Sequence, residues 1–287
     1  MTAENDAHPL APGLYFVATP IGNARDITLR ALDILATADV LAAEDTRATR
    51  RLMEIHGLQL GGRPLVSYHD HSGQGVRQRL IGWLSNGKSV AYSSEAGTPL
   101  VSDPGFALGR AVSEAGLPVW AAPGASAVLA ALTLSGLPSD CFTFAGFAPT
   151  TKSAREKFLA RFASISGTLI LYESPKRLAA LLEAAVQVLG TERRAAVCRE
   201  LTKKFEEVQR GTLGALLDKY AQTPPRGEVV LCIGKGKIEA DRGAVRAALV
   251  DAMKTLKLKD AAADVAERYD LSKRDIYQMG LAIKNAR

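Results

Sequence analysis

Apolar residues recur along this chain in short continuous runs. Each run is followed by a stretch in which they return every three or four positions. Leu14 to Ala18 (LYFVA) is the first run and reads as a buried strand. Leu29, Leu32 and Leu35 then predict a helix to about Thr37, with Thr28 placed to cap it. Asp39 to Ala43 predicts a second strand, followed by a helix that ends near His56 at Gly57. Leu65 to Ser67, Ser89 to Tyr92 and Pro118 to Ala122 predict three more strands, with helices over Val76 to Leu84 and Phe106 to Ala115 between them. Strand alternating with helix is the signature of a parallel sheet covered by helices on both faces.

A second unit begins after Ala122. Val128 to Ser135 reads as an apolar helix, Phe142 to Phe147 as a strand, and Lys152 to Ala163 as a basic helix. Strand Thr168 to Tyr172 and helix Arg177 to Leu189 follow. Ala195 to Arg199 and Phe205 to Arg210 are polar-edged runs around the turn Thr202-Lys203-Lys204, which predicts antiparallel pairing. Helix Leu213 to Tyr220 and strand Glu228 to Ile233 close a mixed sheet. Gly234 to Lys237 reads as a linker. Helices over Gly243 to Met253, Leu258 to Tyr269 and Ser272 to Ile283 complete the chain, the last two joined by Asp270-Leu271 in a helix-turn-helix pattern. The domains expected are a disordered lead-in over 1–12, α/β domains over 13–122 and 123–236, and a helical domain over 237–287.

Composition narrows the class. No apolar run approaches the ~18 residues of a membrane span, and the polar, acidic start MTAENDAHPLAPG lacks a signal-peptide pattern. Cys141, Cys198 and Cys232 are odd in number and far apart. They read as small buried residues of a reducing, cytoplasmic compartment, with neither a disulfide frame nor a metal-ligand cluster. The net charge is +6. Asp241 to Arg287 carries 10 Lys+Arg against 7 Asp+Glu, so half of the excess falls in about a sixth of the chain. A basic tail points to a polyanionic partner, although a small solvated bundle has the same composition.

The candidate chemistry lies on loops at strand ends, where α/β sheets bind ligands. SSEAGTPLVSDPG, from Ser93 to Gly105, holds two Gly/Pro turns directly after a buried strand. Thr19-Pro20-Ile21-Gly22-Asn23 follows the first strand, and Pro123-Gly124-Ala125-Ser126-Ala127 follows the fifth and opens a helix. Helix N-termini offer free N–H groups to anions, but such small residues also serve tight helix packing. Glu44, Asp45, Glu95, Glu173, His69 and Lys176 are the acid-base candidates. Arg47, Arg50, Arg51, Lys176, Arg177, Lys203 and Lys204, with Lys273 and Arg274 of the tail, are candidate phosphate ligands. Each of these charges also has an ordinary reading as a solvated surface group.

Taken together, LYFVATPIGNARDITLRAL, AAEDTR, SYHDH, SSEAGTPLVSDPG, PGASA, LYESPKR and CRELTKKFEEVQRG resemble one family. It is the ribosomal RNA small-subunit methyltransferase family, which places a 2′-O-methyl group on a decoding-centre cytidine of 16S rRNA, within the tetrapyrrole methylase superfamily. The resemblance implies a bilobal α/β fold with a small C-terminal helical domain, a homodimer, and S-adenosylmethionine held in the cleft without metal. It assigns the cofactor to Pro20, Ile21, Gly97, Thr98, Pro99, Val101, Ser126, Ala127, Leu171 and Tyr172. The superfamily carries Gly-Asp-Pro after its fourth strand. Here Gly97-Thr98-Pro99 fits that place by its distance to Pro123-Gly124 and Asp103-Pro104-Gly105 is the competing alignment, so Thr98 or Asp103 takes the cofactor-side role. The first-strand loop, ATPIGN, departs from the superfamily's glycine-rich form. The rival readings are a methylase of small tetrapyrroles and a non-enzymatic nucleic-acid-binding regulator built on the tail helices.

Overall fold

The computed structural model describes residues 10–69, 72, 74–236, 242–269 and 271–285. Most of the expected lead-in, Asp70 and His71 of SYHDH, Lys237 of the linker and Asp270 of the tail turn lie outside them.

The first lobe runs β1 (Gly13–Val17), α1 (Leu29–Thr37), β2 (Val40–Ala43), α2 (Thr46–Ile55), β3 (Leu65–Ser67), α3 (Gln74–Ser85), β4 (Ser89–Ser93), α4 (Phe106–Glu114) and β5 (Val119–Ala122). Its five strands pair in the order β3-β2-β4-β1-β5, all parallel. The continuous apolar runs are explained by cover on both faces. Leu14, Phe16, Val90 and Tyr92 pack on one side with Leu80 of α3 and Leu108 of α4. Tyr15, Val17, Leu41 and Ala91 pack on the other with Ile34 and Leu35 of α1 and Met53 of α2. Thr28 caps α1 by accepting the Ala31 N–H at 3.1 Å. The edge strand β5 lacks this cover, and Trp120 stays 44% exposed.

The second lobe runs α5 (Ala127–Ser135), β6 (Phe142–Phe147), α6 (Lys152–Ala160), β7 (Thr168–Glu173), a 3-10 turn (Pro175–Arg177), α7 (Leu178–Leu189), β8 (Arg194–Arg199), β9 (Glu207–Thr212), α8 (Leu213–Gln222) and β10 (Val229–Ile233). The strand order is β6-β7-β10-β8-β9. Only β6 and β7 pair in parallel; the other neighbours are antiparallel. Alternation along β7 sends Leu169 and Leu171 into the core under α7 and α8, and Ile170 and Tyr172 toward α5.

Two expectations need correction. Helix α6 ends at Ala160, not Ala163, because the N–H groups of Phe162 and Ala163 bond three residues back and tighten the chain into turns. Cys141 precedes β6 and is exposed, whereas Cys198 and Cys232 are buried.

Beyond the lobes, α9 (Arg242–Ala252), α10 (Leu258–Arg268) and α11 (Lys273–Asn285) form a helical unit. It has its own core of Val245, Leu249, Ala262, Val265, Ile276 and Ile283. Ser272 Oγ accepts the Asp275 N–H at 3.4 Å at the start of α11. No described helix is long and apolar enough to cross a membrane.

Candidate active site

Three loops at the carboxyl ends of the first sheet are bonded into one surface. Thr19 and Gly97 exchange backbone hydrogen bonds of 2.9 and 3.0 Å. The hydroxyl of Ser94 donates to Gly97 O at 2.6 Å, and Thr98 Oγ1 donates to Ala125 O at 3.0 Å. Gly97 has φ +83° and a Cβ there would lie 3.1 Å from the Ile21 side chain, so conformation and space both call for glycine. Leu100 and Ser102 follow with φ of +71° and +57°, backbone that non-glycine residues adopt only at a cost. The loop after β4 is therefore pinned at Gly97 and Thr98 and strained at Leu100 and Ser102.

These loops face the second lobe across a cavity of about 510 Å³. Ile21, Glu44, Glu95, Gly97, Thr98, Val101, Asp103, Ser126 and Ala127 line it from the strand-end loops of the first lobe and the start of α5. Phe147, Tyr172, Glu173, Leu201 and Gly227 to Val230 line it from the second sheet. A neighbouring pocket of about 310 Å³ holds Pro20, Arg51 and Lys203, and shares Ile21, Glu95, Ala96 and Glu228 with the first. Glu95 thus stands on the wall common to both.

The other candidates fall elsewhere. Pro99 is buried behind the loop, and Leu171 faces the core on the opposite side of the sheet from Tyr172. Asp45 does not line either pocket. Its carboxylate caps α2, accepting the Arg47 N–H at 2.8 Å and the Ala48 N–H at 3.4 Å, and it pairs with the Arg47 side chain. Those bonds, the Arg47 side chain first, hold its pKa below the usual carboxylate value. The His69 backbone is bonded to Ser72 Oγ in the loop after β3, away from both pockets.

The basic candidates divide by partnership. Arg177 pairs with Glu173 at 3.2 Å and donates to Ala148 O. Lys203 pairs with Glu228 at 2.9 Å and Glu200 at 3.0 Å. Burial alone would lower the Lys203 pKa; the two carboxylates outweigh it and raise it. Among the described residues, Arg50, Arg51, Lys176, Lys204, Lys273 and Arg274 form no ion pair, and all six are exposed. They remain available to phosphates.

On the second-lobe wall, burial pushes the Tyr172 hydroxyl up to about 12, with a hydrogen bond at the Val128 backbone pulling the other way. Burial likewise raises Glu173, whose side chain is fully enclosed, against the Ser174 N–H and the Arg177 guanidinium. Sequence reasoning missed Phe147, Leu201 and Gly227 to Val230 as cavity wall. The GEVV step into β10 is a legible turn-to-strand signal, but nothing in it marks which side the cleft lies on.

Two α/β lobes closing over one shared cavity define a bilobal, ligand-binding class of protein. A family model described as tetrapyrrole (corrin/porphyrin) methylases matches residues 13–217, and one described as the RsmI C-terminal HTH domain matches residues 239–284. The chain is 46% identical over 284 residues to the ribosomal RNA small subunit methyltransferase I of Mesorhizobium japonicum, covering 98% of this chain and 96% of that one. It is 44% identical over 277 residues to the protein of the same name from Vibrio cholerae, covering 94% and 95%. The uroporphyrin-III-C-methyltransferase structure from Thermus thermophilus superposes with a TM-score of 0.53 at 22% identity, over 78% of this chain and 94% of that one, a likeness of fold. The chain belongs to the ribosomal RNA small subunit methyltransferase I family of tetrapyrrole methylases.

Proposed function

We propose that this chain transfers a methyl group from S-adenosylmethionine to the 2′-oxygen of a cytidine ribose in the decoding centre of 16S rRNA. Family membership carries the coarser part: an S-adenosylmethionine-dependent methyltransferase of ribosomal RNA. The finer part, ribose oxygen and cytidine, rests on the motif resemblance.

The observation that carries the reading is the cavity between the lobes, because its walls fit the cofactor. The methionine carboxylate needs N–H donors; the start of α5, at Ser126 and Ala127, meets the cavity, and Ser126 makes no side-chain capping bond there. The ammonium needs an acceptor, which Glu44 and Asp103 supply on the same wall. The adenine needs an apolar slot, which Ile21, Leu201 and Val230 offer. Thr98 and Asp103 both line the cavity. The Thr98 hydroxyl donates to Ala125 O, and both residues stay candidates for the cofactor-side role.

The bound sulfonium supplies an activated methyl group and a good leaving group. What remains for the protein is positioning and care of the acceptor's proton. Glu95, on the wall shared by both pockets, is placed to take or orient that proton, with Glu44 as its neighbour on the larger cavity. Arg50, Arg51, Lys176 and Lys204 would hold rRNA phosphates around the cleft. The enzyme would work in the cytoplasm as a homodimer. The apolar surface that Val119 and Trp120 leave exposed on the edge strand β5 supports a second copy there.

The test offers methyl-tritiated S-adenosylmethionine with purified small subunits, free 16S rRNA and a porphyrinoid. Label in rRNA supports the reading. Label in the porphyrinoid alone, or duplex DNA binding without any transfer, would replace it with one of its rivals.

A further inference from the structure

Phe147 stands where a regular strand would not place it. Strand β6 pairs with β7 so that Phe144 lies opposite Ile170 and Phe147 opposite Tyr172. Three residues advance on one strand against two on the other, which is a β-bulge, and Gly146 within it has φ +68°. In an unbroken strand, residues three apart point to opposite faces. The extra residue cancels that alternation. Both rings therefore meet Tyr172, Phe144 at a centroid distance of 4.7 Å and Phe147 at 5.7 Å.

The consequence is a ring aimed at the site. Phe147 lines the larger cavity yet keeps 55% of its surface exposed. Core packing does not account for a phenyl ring left largely in water beside a reaction site. Its edge-to-face contact with Tyr172, 66° between planes, fixes its tilt. The space beside Gly146 is bounded by Ser102 of the first-lobe loop: a Cβ on Gly146 would lie 3.5 Å from Ser102 Oγ.

We infer that Phe147 is the platform on which the base of the target nucleotide stacks while its ribose faces the cofactor. The inference rests on the proposed RNA ribose methylation. A cavity of about 510 Å³ that must also hold a cofactor admits a single nucleotide, not a helix. The target must therefore be splayed out of its own stack, and proteins that take such a base replace its former stacking with an aromatic side chain. The adenine of the cofactor is the competing occupant. The enclosed Leu201 and Val230 wall suits it better than a ring more than half open to the solvent from which the RNA arrives.

The experiment compares the full-length wild type with Phe147→Ala, Phe147→Leu and Phe147→Trp. S-adenosylmethionine affinity is read by calorimetry, and kcat/KM by tritium transfer to purified small subunits. The Ala and Leu variants should bind cofactor within about twofold of wild type while kcat/KM falls roughly ten- to a hundredfold, the range expected when one base stack is removed. The Trp variant should recover to within a few-fold. A fully active Leu variant would overturn the inference by showing that apolar bulk suffices. Cofactor affinity falling in step with activity would overturn it by giving the ring to the cofactor. Unchanged transfer in the Ala variant sinks this inference alone; absence of label in rRNA with the wild type would sink the methylation reading and this inference with it.

Discussion

The backbone N–H of Asn23 donates a 3.1 Å hydrogen bond to the hydroxyl of Thr202, tying the turn after β1 to the turn between β8 and β9 of the other lobe. The approach is close at Gly22 as well. A Cβ on Gly22 would lie 2.5 Å from Lys203 Cγ and 2.8 Å from Thr202 Oγ1. Glu200 and Thr202 hold φ of +51° and +63°, so the second lobe accepts strained backbone to make this clasp. Both pockets lie beside it, and Lys203 and Glu228 line the smaller one.

The clasp predicts an ordering of variants. Gly22→Ala forces the Lys203 stem and the Thr202 turn away, and should weaken cofactor binding and methyl transfer by about tenfold or more. Thr202→Val removes one exposed hydrogen bond, about 1 kcal/mol at most, and should cost only a few-fold. Calorimetry and transfer assays on the two purified variants check the order; equal, small effects would show that the lobes do not need this clasp.

The same clasp gives a pH dependence. The Glu228 N–H first, then Lys203, hold Glu200 below its ordinary value of 4.5 in the folded chain. A carboxylate with a depressed folded pKa contributes stability that is present above its unfolded value and disappears as pH falls through the folded one. Glu200→Gln should therefore lower the melting temperature at pH 7, and the gap from wild type should close as pH drops below about 4.5. Melting curves at stepped pH measure it; a gap independent of pH would contradict the assignment.

Ser126 lines the cavity without capping α5, so its side chain is not needed to form the helix. Ser126→Trp should fold with a near-wild-type circular dichroism spectrum and lose S-adenosylmethionine binding altogether. Wild-type binding should persist in excess chelator. Calorimetry reads both; retained affinity in the Trp variant would move the cofactor elsewhere, and failure of wild-type binding in chelator would show a metal.

Most of the fold is legible in the sequence because central parallel strands announce themselves. Val40 to Ala43 and Ser89 to Ser93 are buried throughout since helices cover both faces of them. The loop around Gly97 is legible for the same reason, since it follows directly from β4; the Ser126 stretch follows the exposed edge strand β5 and is marked instead by its own Pro-Gly start. What the sequence hides depends on register and company. FTFAGF breaks its alternation at Gly146-Phe147, which hints at a bulge, but nothing in it shows that the bulge turns Phe147 onto Tyr172. Asp45 reads as an acid facing the cleft, although an Asp directly before a helix is also a capping signal, and the cap is what it makes. Lys203 reads as a free cation because its partners, Glu200 and Glu228, come together only when β8 and β10 pair.

The tail supplies a prediction of its own. Its helices close their own core, and Lys273 and Arg274 stand exposed at the first turn of α11 without an ion pair among the described residues. Truncation after Gly236 should leave cofactor affinity intact while weakening small-subunit binding. Every phosphate the tail no longer grips should flatten the slope of log K against log salt by roughly 0.7 to 0.9. Lys273→Ala with Arg274→Ala should reproduce part of that flattening. Filter binding across a salt series is the measurement, and an unchanged slope in the truncated chain would make the tail a structural appendage.

The central claim is a methyl group on a ribose oxygen, and alkaline hydrolysis of the rRNA tests it most directly. A 2′-O-methyl group removes the hydroxyl that attacks the adjacent phosphodiester. 16S rRNA from cells carrying the gene should resist alkali at one decoding-centre cytidine, and rRNA from cells lacking it should be cut there. Restoring the wild-type gene should restore resistance, and restoring the Ser126→Trp form should not. Methylated rRNA that alkali still cuts at that position would place the methyl on a base and contradict the account.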